Sequence, residues 1–227
     1  MAISAKTLDF LAENRLRNSR SWYLEHKGIY QEYVLAPLME LVQRLGPVAK
    51  QIDPILITEP KVDRTISRIY RDTRFSRDKS LYRDVMWCTF NRDKKAFHCH
   101  PCLFFEFSQD VFRYGCGYYR ATPQTMDAIR QLILEKDPLF QKAYTAMNSQ
   151  SVFQLEGESY KRSRFPSQPE HLKQWLDCKN IGYIHNSKDF GLLFSDSLWE
   201  ALAEGFLLLA PFYQFLCRAE ARTHKKE

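Results

Sequence analysis

The chain has 227 residues, 44% of them hydrophobic, 26% charged and 14% aromatic. That composition is ordinary for a globular protein, argues against disorder as the default and supplies enough apolar volume for one substantial core. The formal charge is +6, and between Arg64 and Asp84 seven basic residues stand against three aspartates, so one short segment carries a local excess of +4. A concentrated excess argues a site, whereas an even one would argue diffuse attraction to polyanions.

Length predicts a single domain over residues 1–227. Asp9 and Glu13 interrupt the first residues before any apolar run of signal-peptide length, and Glu204 interrupts the longest apolar stretch, ALAEGFLLLAPFYQFL. The expectation is therefore a cytoplasmic protein without a membrane segment. Its six cysteines are then reduced thiols or ligands before they are disulfides.

Ser4 is a plausible N-cap for a helix through LDFLAENRL, and after RNSRS a second helical pattern runs from Trp22 to about Leu45. Pro37 must kink or restart that helix, and Gly46-Pro47 reads as its stop. Ile55 to Thr58 is short and β-branched, a strand or a lead into one. TISRIY, VMWCTF, CLFFEF and VFRYGCGYY then alternate β-branched and aromatic residues between polar turns. The SQD link is hairpin length, so the sheet is predicted antiparallel, with strands near 65–70, 85–90, 102–107 and 111–118.

Thr122-Pro123 and Asp137-Pro138 both read as helix starts, a capping residue followed by proline at the first helical position. VFQLEG is a possible strand, KRSRFPSQPE a loop, HLKQWLDCK a short helix and NIGYIHN another strand. Ser197 to Glu200 forms a capping box that opens a long apolar helix to about Ala221. The resulting fold class is α+β, a central antiparallel sheet packed against N- and C-terminal helices.

Within the basic segment, Arg71 to Arg83 reads RDTRFSRDKSLYR. It resembles the RDxRFSxDKxxYK signature of an uncharacterised bacterial family of unknown function, with Arg83 in place of lysine and Leu81 where proline is common. NSRSWYLEHKGIY is similar to that family's asparagine-rich helix start, and GCGYYRATPQTMDAIR to its glycine turn and Ile-Arg pattern. The likeness extends over nearly the whole chain. It implies a single domain and carries no activity, substrate or cofactor.

Arginine presents a planar fork of donors that suits phosphate or carboxylate oxygens, and lysine adds a compact charge. The candidate ligand-binding set is Arg68, Arg71, Asp72, Arg74, Ser76, Asp78, Lys79, Tyr82 and Arg83, serving a phosphate-bearing or other anionic small molecule. A strand through TISRIYRD would put Arg68 and Tyr70 on one side and Ile69 and Arg71 on the other. After Asp72 the expectation is a loop in which Ser76 caps a short helix and Phe75 anchors the loop to the core. The competing reading pairs Asp72, Asp78 and Asp84 with these same arginines as a structural clasp.

The alternative to a binding domain is an enzyme on such a ligand, with Asp72 or Asp78 as acid-base or metal ligand. No GxSxG, HExxH or other reaction signature supports it. Tyr70, Phe75, Tyr82 and Trp87 interleave with the cations in a way that suits base stacking. The RRM signature, zinc fingers and a helix-turn-helix are missing, however, so nucleic acid is the third reading.

His98 to Cys102, HCHPC, has one cysteine pair at ligand spacing and Cys116 as a possible third ligand. With no second pair at zinc-site separation, the expectation is no metal. Gly115 and Gly117 are read as permitting a tight turn or bulge, ahead of an anion loop beside Arg120. Trp22, Tyr23, Tyr30 and Tyr33 are read as a helical core stripe.

Overall fold

The structure is a computed structural model and describes residues 2–93 and 100–223. Helix α1 (Ala5–Arg17) starts at Ser4, whose backbone N–H donates to the Thr7 hydroxyl at 3.1 Å. It ends at Asn18, whose φ of 48° is left-handed, a conformation that asparagine tolerates better than most residues. Next come α2 (Arg20–Glu25), the single turn α3 (Lys27–Ile29), a π-helical turn (Tyr30–Leu35) and α4 (Ala36–Ile52).

Pro37 thus falls in the first turn of α4, where its missing N–H is tolerated, and the wide π-turn before it absorbs the restart. Gly46-Pro47 does not stop the helix, contrary to expectation. Pro47 removes only one bond of the ladder, while Leu41, Val42, Leu45, Ala49 and Ile52 keep one face buried to the end. Gly46 is not sterically required here, since a Cβ would meet the Thr58 Cβ at 3.4 Å, an ordinary van der Waals contact. Ile55 to Thr58 forms no strand.

Among the described residues the sheet has five strands, β1 (Met86–Phe90), β2 (Cys102–Phe107), β3 (Phe112–Gly117), β4 (Gln154–Glu156) and β5 (Gly182–Ser187). It is antiparallel, in the order β1-β2-β3-β5-β4. The register of the last pair places Leu155 opposite Tyr183. Helices α5 (Pro123–Leu134), α6 (Pro138–Asn148) and α7 (Glu170–Leu176) lie between β3 and β5 in the chain, followed by the short α8 (Phe190–Leu193) and the long α9 (Leu198–Thr223). The fold is α+β, as the hairpin-length links require.

The predicted strand at 65–70 is the exception. Ile66 bridges Cys88 and Tyr70 bridges Tyr82, but no continuous ladder forms. At Ser67 the backbone N–H donates to the Trp87 carbonyl at 2.9 Å, while the Trp87 N–H donates at 3.0 Å to the Ser67 hydroxyl. A side chain has taken the place of a main-chain acceptor, which interrupts the ladder.

Two compact units divide the chain. The first comprises the N-terminal segment through Phe90 with Phe104–Tyr114 and Asn186–Glu204. Its core holds Leu11, Val34, Leu38, Leu45, Phe90, Phe105 and Phe107, each fully buried.

The second comprises Gly115–His185 and the chain from Gly205 onward, together with the short stretch before Phe104. It centres on Trp175, whose ring meets Phe140, Phe212, Phe215 and Tyr183 at 5.5 to 6.1 Å. Its helix starts are those the sequence spells out. The Thr122 hydroxyl accepts from the Thr125 N–H at 3.1 Å, and the Asp137 carboxylate from the Leu139 N–H at 2.8 Å. Gly115 and Gly117 let β5 approach closely, because a Cβ would come within 2.3 Å of the Tyr183 carbonyl oxygen or 2.6 Å of the Gly182 Cα.

One charged side chain is structural in this unit. Arg130 is 6% exposed and donates to the carbonyls of Leu176 at 2.9 Å and Cys178 at 2.7 Å, tying α5 to the end of α7. Its remaining fork meets Asp127 at the surface at 2.7 Å.

Candidate functional site

The basic motif lies in the first unit and is closed at its base by main-chain pairing. The Arg71 N–H donates to the Leu81 carbonyl at 2.8 Å and the Arg83 N–H to the Ile69 carbonyl at 2.9 Å. Residues 72–80 are therefore a loop held at its neck. Within it the Arg74 N–H and guanidinium both reach Asp72, and the Lys79 ammonium donates to the Thr73 carbonyl at 2.8 Å.

No helix follows Ser76, and Phe75 is 94% exposed, so two local expectations fail. The reason is that polar contacts hold the loop. Ser76 accepts from Arg71 at 3.4 Å instead of capping, and among the described residues Phe75 has the Arg74 guanidinium, 5.8 Å from its ring centre, as its ring partner.

The centre of the motif is Asp78. Its Oδ2 accepts from Arg71 and from Arg15, the latter at 2.5 Å, while its Oδ1 accepts from the Ser80 N–H at 2.9 Å and from the Ser80 hydroxyl. Arg15 also donates to the Tyr82 carbonyl at 3.0 Å and lies 4.0 Å from Asp84. Asn18, the left-handed cap of α1, accepts from the Leu81 N–H at 2.7 Å. The NSRSW and RDTRFSRDKSLYR stretches therefore meet in space.

Arg15 is the residue that sequence reasoning missed. It stands on a helix with no feature of its own, and only the contact of α1 with the loop reveals it. Of the residues expected at the site, Asp78 and the Tyr82 carbonyl meet Arg15 directly, Arg71 joins it at Asp78, and Ser76 touches Arg71. Arg68 turns instead to Asp63, and Arg83 lies over Trp87, 4.6 Å from the ring centre, while donating to the Tyr70 carbonyl. Asp72 and Arg74 form a separate surface pair.

Tyr82 is fully buried beneath the loop. Its ring lies 5.0 Å from Tyr70 and 5.2 Å from Tyr23, which in turn meets Tyr30, so of the expected aromatic stripe Tyr23 and Tyr30 are buried in one cluster, while the half-buried Trp22 meets Phe10 and His26 and the half-buried Tyr33 lies under Lys6. Burial pushes the Tyr82 and Tyr30 hydroxyls well above the ordinary phenol range, with neighbouring tyrosines adding to it.

The carboxylates shift the other way. Hydrogen bonds from Ser80, then Arg15 and Arg71, hold Asp78 far below the usual carboxylate range, and the Arg74 guanidinium lowers Asp72 to about 2. A depressed native pKa stabilises the fold above the unfolded value of about 4 and loses that contribution as pH falls further. The wild type is thus expected to lose this contribution, modest because both carboxylates are half exposed, as pH falls below about 4. Asp78→Asn should be less stable at pH 7 and show a shallower acid limb, measured by urea unfolding across pH 2–7. Parallel limbs for the two proteins would refute the assignment.

The HCHPC reading lies partly outside the described residues, which include neither His98 nor Cys99. Among the described residues no group of three or more His, Cys, Asp and Glu is arranged to hold a metal. Cys88 and Cys116 are buried free thiols, and burial pushes the Cys88 thiol up to about 12. No described helix is long and apolar enough to cross a membrane.

No curated protein matches the chain. A model of a conserved hypothetical protein family, DUF2461, matches residues 6–215, which include nearly all of α1, the whole basic motif and the first two thirds of α9. The chain belongs to the DUF2461 family of conserved hypothetical proteins.

Proposed function

We propose that this protein is a cytoplasmic binding domain for a small phosphate-bearing or other anionic ligand, seated at the fork of Arg15 and Arg71. One observation carries the reading. Two guanidinium groups from separate segments converge on a single carboxylate oxygen, Asp78 Oδ2, at a partly open position where the Asp78 side chain is 45% exposed. Two cations held this close repel unless an anion lies between them. Asp78 supplies that anion from within the chain, and a ligand oxygen would satisfy the same donors, together with the Ser76 and Ser80 hydroxyls.

The enzyme reading is weaker on the same geometry. A general base needs a proton affinity matched to neutral pH, and both Asp72 and Asp78 are held far below it. Polyanion binding is weaker too, because Arg68, Arg74, Lys79 and Arg83 are engaged with Asp63, Asp72 and main-chain carbonyls, which leaves Arg77 as an exposed cation of the loop and no extended open face. The buried free thiols suit a reducing compartment.

The test replaces the internal anion. Asp78→Asn leaves Arg15 and Arg71 without their shared carboxylate, and inorganic phosphate is expected to raise its melting temperature more than sodium chloride at matched ionic strength. Adding Arg71→Ala should abolish the difference. Binding to the folded state stabilises by RT ln(1 + [L]/Kd), so the effect must grow with phosphate concentration. Nucleotides and sugar phosphates tested on the wild type then search for the natural ligand. A melt of Asp78→Asn that phosphate and chloride shift equally would leave the motif as a structural clasp.

A further inference from the structure

We infer a second ligand site in the other unit, a groove of about 420 Å³ between α5, α6 and α7 that takes a small monocarboxylic acid with an apolar body. Its apolar lining comes from Ile133, Leu134, Phe140, Tyr144 and Leu172, and its volume is in the range of small-molecule sites. Gln141, Gln168 and His171 add polar groups to the lining. Such a lining, hydrophobic with a few placed donors, favours a ligand with one polar end.

Lys136 fixes the sign of that end. It lies on the rim just after the last turn of α5, and its φ of 56° is left-handed, where glycine is the usual occupant. A side chain there costs conformational energy that glycine would not. Lysine therefore stands at a position with a backbone reason to be something else. Its chain neighbours offer it no counter-ion, since Glu135 is held by both nitrogens of the Arg222 fork at 2.5 and 2.6 Å, and Asp137 caps α6 with Arg218 at 3.5 Å. Glu170, next to His171, is paired with Lys173 at 3.0 Å. Among the described residues Lys136 forms no ion pair.

One uncommitted ammonium beside amide donors matches a single negative charge. A dianionic phosphate would enter with half its charge uncompensated above an apolar floor, which disfavours it. A carboxylate at Lys136 with an aryl or branched alkyl body over Phe140 and Tyr144 satisfies every feature of the groove.

Trp175 reports on this site, because its ring lies 5.5 Å from Phe140 and 6.1 Å from Tyr144 and the chain has only four tryptophans. In protein labelled with 5-fluorotryptophan, phenylacetate is expected to shift the Trp175 fluorine resonance saturably at millimolar concentration. Phenylacetamide, of the same shape without the charge, should bind roughly tenfold more weakly, the order of one charge-assisted contact near a surface. Lys136→Gly should show the same weakening while melting at a higher temperature than the wild type. Lys136→Asn, which also tolerates the left-handed backbone, guards against an effect peculiar to glycine. Absence of a saturable shift, equal affinity for acid and amide, or undiminished phenylacetate binding by both variants would overturn the site.

Discussion

Truncating Arg130 to alanine is expected to destabilise the protein by about 4 kcal/mol, the largest effect of any single polar substitution proposed for this chain. The guanidinium is 6% exposed, yet what it leaves behind matters more than its own burial. The carbonyls of Leu176 and Cys178 sit in residues 0% and 2% exposed, so without Arg130 both lose a donor where water has little access. Each orphaned carbonyl costs about 1–3 kcal/mol. The third partner, Asp127, returns to solvent at little cost because its side chain is 69% exposed. Arg130→Lys keeps the charge but cannot present two donors in a planar fork, and is expected to fall between. Urea denaturation of the three proteins checks the order, and an alanine variant within about 1 kcal/mol of wild type would contradict the bridging role.

Gly115→Ala is expected to cost about 3 kcal/mol. The new methyl carbon would stand 2.3 Å from the Tyr183 carbonyl oxygen and 3.0 Å from the Ile184 Cα, both main-chain atoms that no rotamer change can move aside. Relief requires β3 and β5 to separate, which weakens their hydrogen bonds. Gly46→Ala is the matching control, since its methyl would meet the Thr58 side chain no closer than 3.4 Å and alanine favours the helix that Gly46 occupies. Thermal melts should therefore move down sharply for the first substitution and little for the second.

What the sequence made legible was local. The starts at Thr122-Pro123 and Asp137-Pro138 appear where they were read, because a cap and a proline act on the residues immediately after them. The hairpin from β2 to β3 follows likewise from a short link whose Ser108 N–H closes on the Val111 carbonyl at 2.9 Å. Gly46-Pro47 misled for the complementary reason, since tertiary burial of one face of α4 outweighed a local breaker. At the candidate site the loop and its charge were legible, while Arg15 and the exposure of Phe75 were not. The first depends on where α1 meets the loop, across more than sixty residues of chain, and the second on polar contacts that hold the loop without its aromatic residue.

The strand order has a consequence for how the molecule assembles. β1, β2 and β3 follow one another in both chain and sheet, whereas β5 joins β3 only after α5, α6, β4 and α7 have been placed. Closing so long a loop is entropically slow, and its reward arrives only when the glycine face of β3 receives β5. That seam is therefore expected to form after the folding transition state. Crowding it at Gly115 should leave the refolding rate almost untouched and appear instead as faster unfolding, which shortens the lifetime of the native state.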